Sequence, residues 1–232
     1  MSSPEAWLQM KRSAVTALHR VEISQSATAV LGVLPLLAPK DLQIGDVILH
    51  EPGRQFWYEK GIALATGSRF THASLYVGDN MIAEARLPGV RVCDVQRPMR
   101  RERSLCILRR PGGLLAAQVV ALQSFVGAAL QRDARFDYLF PFSFYGSRFA
   151  RLILPSPQAS ATNEPLPPEN RGKYFCTSFV MDAFRAMGMI DRSEARAYRL
   201  GSLSAADILK DEKFGNPIGF LQTKAVLAGA GV

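Results

Sequence analysis

Through the middle of this chain, short apolar runs are separated by turn-forming clusters, and the apolar period changes from two to that of a helix on either side. Asp46 to His50 predicts a strand entered through Gly45. Thr71 to Gly78, Met81 to Arg86 and Val90 to Val95 predict three more, divided by Asp79-Asn80 and by Pro88-Gly89. Leu105 to Arg109 predicts another, stopped by Pro111-Gly112-Gly113. Helical spacing predicts elements over 54–65, over 114–130 with Leu115, Val119, Leu122 and Val126 as the buried stripe, and over 176–187, ended by Gly188. Near the start, Ser3 caps and Pro4 opens a helix whose apolar face is Met10, Ala14, Ala17, Leu18 and Val21. Antiparallel strands with helices gathered against them give an α+β fold. The chain divides into an N-terminal helical arm, 1–38, and a domain over 39–232 interrupted by an aromatic and Pro-rich insertion near 138–173.

Composition narrows this picture. The 232 residues suffice for one substantial domain, and 48% hydrophobic residues predict a packed core. No apolar run approaches the roughly 20 residues that cross a bilayer. The run over 27–38 is broken by Gly32 and Pro35 and lies behind Glu5 and Glu22, unlike a secretion signal. Cytoplasmic synthesis without a signal peptide is expected, with any outward route needing a dedicated export system. Three widely spaced cysteines without a Cys-x-x-Cys pair argue against a disulfide framework and a zinc site. A net charge of +8 favours anionic partners.

Three residues could carry chemistry. Cys176 opens a helix after a loop, where unpaired backbone N–H groups and the helix dipole favour a thiolate and could hold an oxyanion. Its bland alternative is continuation of the apolar stripe. Strand alternation sets His72, Ser74 and Tyr76 on one face and Thr71, Ala73, Leu75 and Val77 on the other. His72 is then a candidate base, the alternative being a structural histidine; His19 and His50 lie in weaker contexts. Glu84 sits among apolar neighbours and needs a partner. An odd hairpin loop, such as Gly78 to Asn80, brings it to the face of His72; a two-residue loop turns it away. Its alternative is a surface carboxylate paired with an arginine.

The runs Gly45 to Leu49, Thr71 to Gly78, Ile82 to Ala85 with Gly89-Val90, Phe136 to Tyr138, and Tyr174 to Ser178 together resemble the circularly permuted NlpC-type papain-like superfamily, which includes YiiX-like proteins and lecithin–retinol acyltransferase. The resemblance spans 42–187. It implies an antiparallel sheet or small barrel with packed helices, a Cys176-His72-Glu84 triad, an acyl-enzyme and no metal or organic cofactor. The N-terminal arm and the insertion depart from the family pattern.

For substrate, the aromatics between Tyr138 and Phe149 beside Arg148 and Arg151 suit a membrane interface. Arg97, Arg100, Arg101, Arg103, Arg109 and Arg110 suit anionic headgroups. A second small core and a solvated basic face are the plain alternatives. The resemblance, whose permuted members are associated with lipid acyl groups, implies a cysteine-dependent hydrolase or acyltransferase acting on a lipid acyl ester or amide at an anionic membrane surface, phospholipase-like. Its rival is a cell-wall peptide amidase or endopeptidase, in the form of an exported antibacterial effector. A non-catalytic basic membrane- or nucleic-acid-binding module is the reading of another class, and no nucleic-acid motif is present.

Overall fold

The alternating runs pair as the centre of a single sheet in a computed structural model, which describes residues 34–53, 57–137, 172–201 and 203–223. In chain order the elements are β1 (Leu36–Leu37), β2 (Val47–Pro52), α1 (Trp57–Thr66), β3 (His72–Gly78), β4 (Met81–Arg86), β5 (Gly89–Asp94), α2 (Gln96–Arg101), β6 (Glu102–Arg109), α3 (Ala116–Gln131), β7 (Arg135–Phe136), β8 (Lys173–Tyr174), α4 (Cys176–Ala186), α5 (Arg192–Gly201), α6 (Ala205–Lys210) and β9 (Asn216–Leu221). The strand order is β1-β9-β6-β2-β3-β4-β5-β7-β8. Every neighbouring pair is antiparallel except β1–β9 and β7–β8. The fold is α+β, as expected. The expected helix of the arm, residues 54–56 of the first predicted helix and most of the insertion, 138–171, lie outside the described residues.

The hairpin between β3 and β4 decides where Glu84 points. Asp79 and Asn80 both have positive φ, 52° and 59°, and form a tight two-residue turn with Gly78 opposite Met81. On its own, that turn would put Glu84 on the wrong face. The register shifts between Tyr76 and Gly78, however, so that Tyr76 opposes Ile82 and Leu75 opposes Ala83. Val77 is the surplus residue of a bulge. Turn plus bulge restore odd parity, and Glu84 shares a face with Ser74 and His72.

Both faces of the sheet are covered. Val47, Leu49, Ala73, Leu75, Ala83 and Ala85 pack with Phe125 and Val126 of α3 and with Phe179, Val180 and Phe184 of α4. Ile48, Tyr76, Ile82, Leu105 and Ile107 pack with Val95 and Met99 beside and within α2. Leu122 and Val126 of the predicted α3 stripe face the core, and Val119 is half-buried. Leu115 is the extended N-cap residue and is exposed, while Leu122, Phe125, Val126 and Ala129 are buried. The arginine-rich stretch between the strands predicted at Val90 to Val95 and Leu105 to Arg109 folds in part as α2, where Arg97, Arg100 and Arg101 are exposed and Pro98 and Met99 are buried. α5, α6 and β9 lie beyond the last predicted element, and β9 inserts between β1 and β6.

Phe179 anchors α4 to this core, fully buried with its ring 5.2 Å from Phe125 and 5.4 Å from Tyr174. Phe179→Ala is expected to lower the unfolding free energy by about 3–5 kcal/mol in a denaturant titration. A loss below about 1 kcal/mol would contradict this packing.

Candidate active site

β3 begins at His72 and α4 begins at Cys176. Phe175 is the extended N-cap residue, its N–H donating to Ser178 Oγ at 2.9 Å while that hydroxyl donates to Phe175 O at 3.0 Å. The cap frees the chain to enter α4 with Cys176 as the first helical residue. Alternation assigns His72 to the face opposite the one on which α4 packs. The two groups come together because each is the first residue of its element. His72 and Cys176 line one small cavity with Glu59, Ile62, Thr71, Arg86, Leu87, Phe136 and Phe175. The Cys176 sulfur accepts the backbone N–H of Ala73, directly after His72, and that of Thr177.

Glu84 is 2% exposed and completes the cluster. Its Oε2 accepts a 2.6 Å hydrogen bond from His72 Nε2. Its Oε1 accepts from Arg91 Nε at 2.8 Å and Nη2 at 2.5 Å, with Cys93 Sγ at 3.8 Å. Burial alone would raise the Glu84 carboxyl, but the His72 hydrogen bond and surrounding positive charge outweigh it and hold the carboxyl well below its usual range. An ionised carboxylate only accepts, so Nε2 of His72 carries the proton and Nδ1 is the proton acceptor of the neutral ring.

A second layer surrounds this pair. Arg86 donates to Glu102 at 2.9 Å and to Glu59 at 3.2 Å. The His50 ring stands edge-on to His72, with centroids 4.8 Å apart, and its Nε2 lies 2.8 Å from Ser74 Oγ. His50 Nδ1 is buried without a hydrogen-bond partner among the described residues, 3.9 Å from Glu102. Burial would raise the Glu102 carboxyl, yet His50 and Arg86 bring it down to about 2.

The thiol does not follow the sequence expectation. A helix N-terminus was expected to lower its pKa, but burial pushes it up to about 12 and outweighs the N–H groups of Ala73 and Thr177. Burial also lowers His72 to about 4 against the pull of Glu84. At neutral pH the pair is a thiol and an uncharged imidazole.

His72, Cys176 and Glu84 are thus brought into one cluster, whereas Arg86, Arg91, Glu59 and Glu102 were not singled out. A signal for Arg91 exists. The two-residue connection Leu87-Pro88 pairs Arg86 with Gly89, which sets Arg91 directly across from Glu84. His50 was judged a weaker context, yet it packs on His72.

With this geometry in hand, comparison with known proteins gives one curated relative. The chain is similar to YaeF. That Escherichia coli K12 protein, described as a probable lipoprotein peptidase, is 25% identical over 207 residues, covering 78% of this chain and 72% of YaeF. No family model matches. Among solved structures, the crystal structure of metalloprotein YiiX from Escherichia coli O157:H7 aligns with a TM-score of 0.44 and 20% identity, covering 80% of this chain and 91% of YiiX.

Among the described residues, one group of side chains offers metal-ligand donors close together. His50, His72 and Glu84 each offer a donor atom within 4.8 Å of the others. Both oxygens of Glu84 are already engaged, and the Arg91 guanidinium lies on the carboxylate. A divalent ion would have to break these hydrogen bonds and face a fixed cation. The arrangement does not fit a metal.

The neutral state of His72 is measurable. Its folded pKa, about 4, lies below the ordinary 6.5, so the unfolded chain takes up the proton first. Stability linked to the ring is therefore full above 6.5 and falls as pH drops towards 4. The unfolding free energy should decline as pH falls from 6.5 towards 4, and His72→Gln should flatten the upper part of that decline. Identical slopes for the two proteins contradict a buried neutral ring.

Proposed function

We propose that this protein is a papain-like cysteine hydrolase or acyltransferase working through an acyl-enzyme. The observation that carries the reading is the shared cavity of His72 and Cys176, with the imidazole's other nitrogen bonded to an ionised Glu84. The relative YaeF, described as a probable peptidase, supports the same class.

In this reading, Nδ1 of His72 takes the proton from Cys176 as the sulfur attacks the substrate carbonyl carbon. The imidazolium is stabilised by the Glu84 carboxylate and then passes the proton to the departing alkoxide or amine. A thioester remains. Water, or an acceptor alcohol or amine, attacks it with His72 again as base, and the thiol is regenerated. Because thiol and imidazole are both neutral beforehand, proton transfer accompanies attack instead of preceding it. No step calls on a metal.

A lipid acyl ester or amide is the first substrate reading. The exposed Arg97, Arg100, Arg101 and Arg103 support an anionic surface as its setting. Arg109 is committed to Asp46, and the aromatic stretch lies outside the described residues. A peptide bond is the second reading, favoured by the description of YaeF.

Purified protein should be assayed on anionic phospholipid vesicles, and in parallel on purified peptidoglycan and a lipopeptide. Cys176→Ala should abolish turnover and His72→Ala should reduce it by about 100-fold or more. Fatty-acid release lost in Cys176→Ala supports the lipid reading, while peptide cleavage alone transfers the assignment to the second. Unchanged turnover in Cys176→Ala ends the proposal.

The pH dependence of alkylation gives an independent check. Iodoacetamide should label Cys176 at a rate that climbs steadily from pH 5 to 9, as expected for a neutral thiol. A rate plateau beginning near pH 4 would show a thiolate–imidazolium pair instead.

A further inference from the structure

Resting on that reading, we infer that the hydroxyl of Thr71 receives the acyl carbonyl oxygen of the substrate and stabilises its developing negative charge. Thr71 directly precedes His72, and its side chain is 4% exposed. Its Oγ1 is buried and has no hydrogen-bond partner among the described residues. A buried hydroxyl left unpaired costs free energy, and native folds keep such groups rarely. The position of this one offers a reason for keeping it.

Two small cavities adjoin the start of α4. One holds Cys176 and His72, with the charged Glu59 and Arg86. The other is lined by Thr177, Leu203, Ser204 and Ala205, with no charged residue among the described residues that line it. Thr71, Ile62 and Phe175 line both. Of these three, Thr71 alone has a polar side chain. The remaining hydroxyls of the second cavity are occupied: Thr177 donates to Leu203 O at 2.7 Å, and Ser204 donates to Asp207 Oδ2 at 2.6 Å. In the first cavity, Arg86 is held between two carboxylates. Thr71 is therefore a neutral donor with nothing to donate to, at the junction beside the sulfur.

A carbonyl attacked by Cys176 must gain negative charge on its oxygen as the S–C bond forms. A fixed, desolvated O–H within reach of that oxygen is worth more there than in water. The two sides of the substrate would lie in the two cavities, with the less polar one taking an uncharged group.

Acylation by para-nitrophenyl acetate tests this. The S–C bond forms, the bond to the nitrophenolate oxygen breaks, the leaving group takes the electron pair, and the thiol proton moves to His72. Thr71→Val keeps the shape and deletes the hydroxyl; Thr71→Ser keeps the hydroxyl. The Val variant should acylate about 100-fold more slowly, the scale of losing one oxyanion donor, while the Ser variant stays close to the parent. Alkylation by iodoacetamide develops no oxyanion, so its rate should not change in either variant. The Tm of the Val variant should not fall, since an unpaired hydroxyl has been removed.

Parental acylation in the Val variant overturns the inference. So does an equal loss of acylation and alkylation, which would make Thr71 a support for the sulfur. A Ser variant as slow as Val, or a marked fall in Tm, overturns it as well. A burst that survives in Cys176→Ala would instead overturn the hydrolase reading, so the two failures are distinguishable.

Discussion

A carboxylate removed from water needs company, and the partners of Glu84 organise everything around it. One of its oxygens faces the Arg91 fork and the other faces His72. The His72 hydrogen bond, with Arg91 adding its charge, holds the carboxylate ionised, and the carboxylate in turn dictates which ring nitrogen of His72 bears hydrogen. Around that chain lies another of the same kind, with Arg86 between Glu59 and Glu102 and His50 against the ring. Each buried carboxylate is thus matched by a guanidinium, Glu84 by Arg91 and both Glu59 and Glu102 by Arg86.

Burial has a second consequence at the sulfur. Helix geometry favours a thiolate at Cys176, and desolvation opposes it. Desolvation wins, because the sulfur is 1% exposed and gathers only backbone N–H groups close by. Burial of this kind keeps the Cys176 thiol protonated at neutral pH.

Much of this was legible from residue order. Gly45, Asp79-Asn80 and Pro88-Gly89 punctuate the strands because each allows a turn, and the alternation between them fixed which side chains share a face. The orientation of Glu84 was conditional on loop parity. The bulge at Val77 settled it, and no residue type announces a bulge there in advance. Leu115 misled because apolar periodicity does not mark where a helix starts, and here it stands outside as N-cap. The thiol pKa was misjudged because exposure of a helix terminus depends on what packs over it, in this case Ile62, Phe136 and Phe175. β9 is short, carries Pro217 and Gly219, and finds its place only through long-range pairing with β6 and β1.

The sheet ends on both sides in strands of two residues, Leu36–Leu37 and Lys173–Tyr174. Each is held by a parallel partner, and the long strands are all interior. Such brief margins offer a foreign strand almost no ladder to extend, and a lysine stands on one of them. A sheet this wide thereby offers little purchase for growth from its sides.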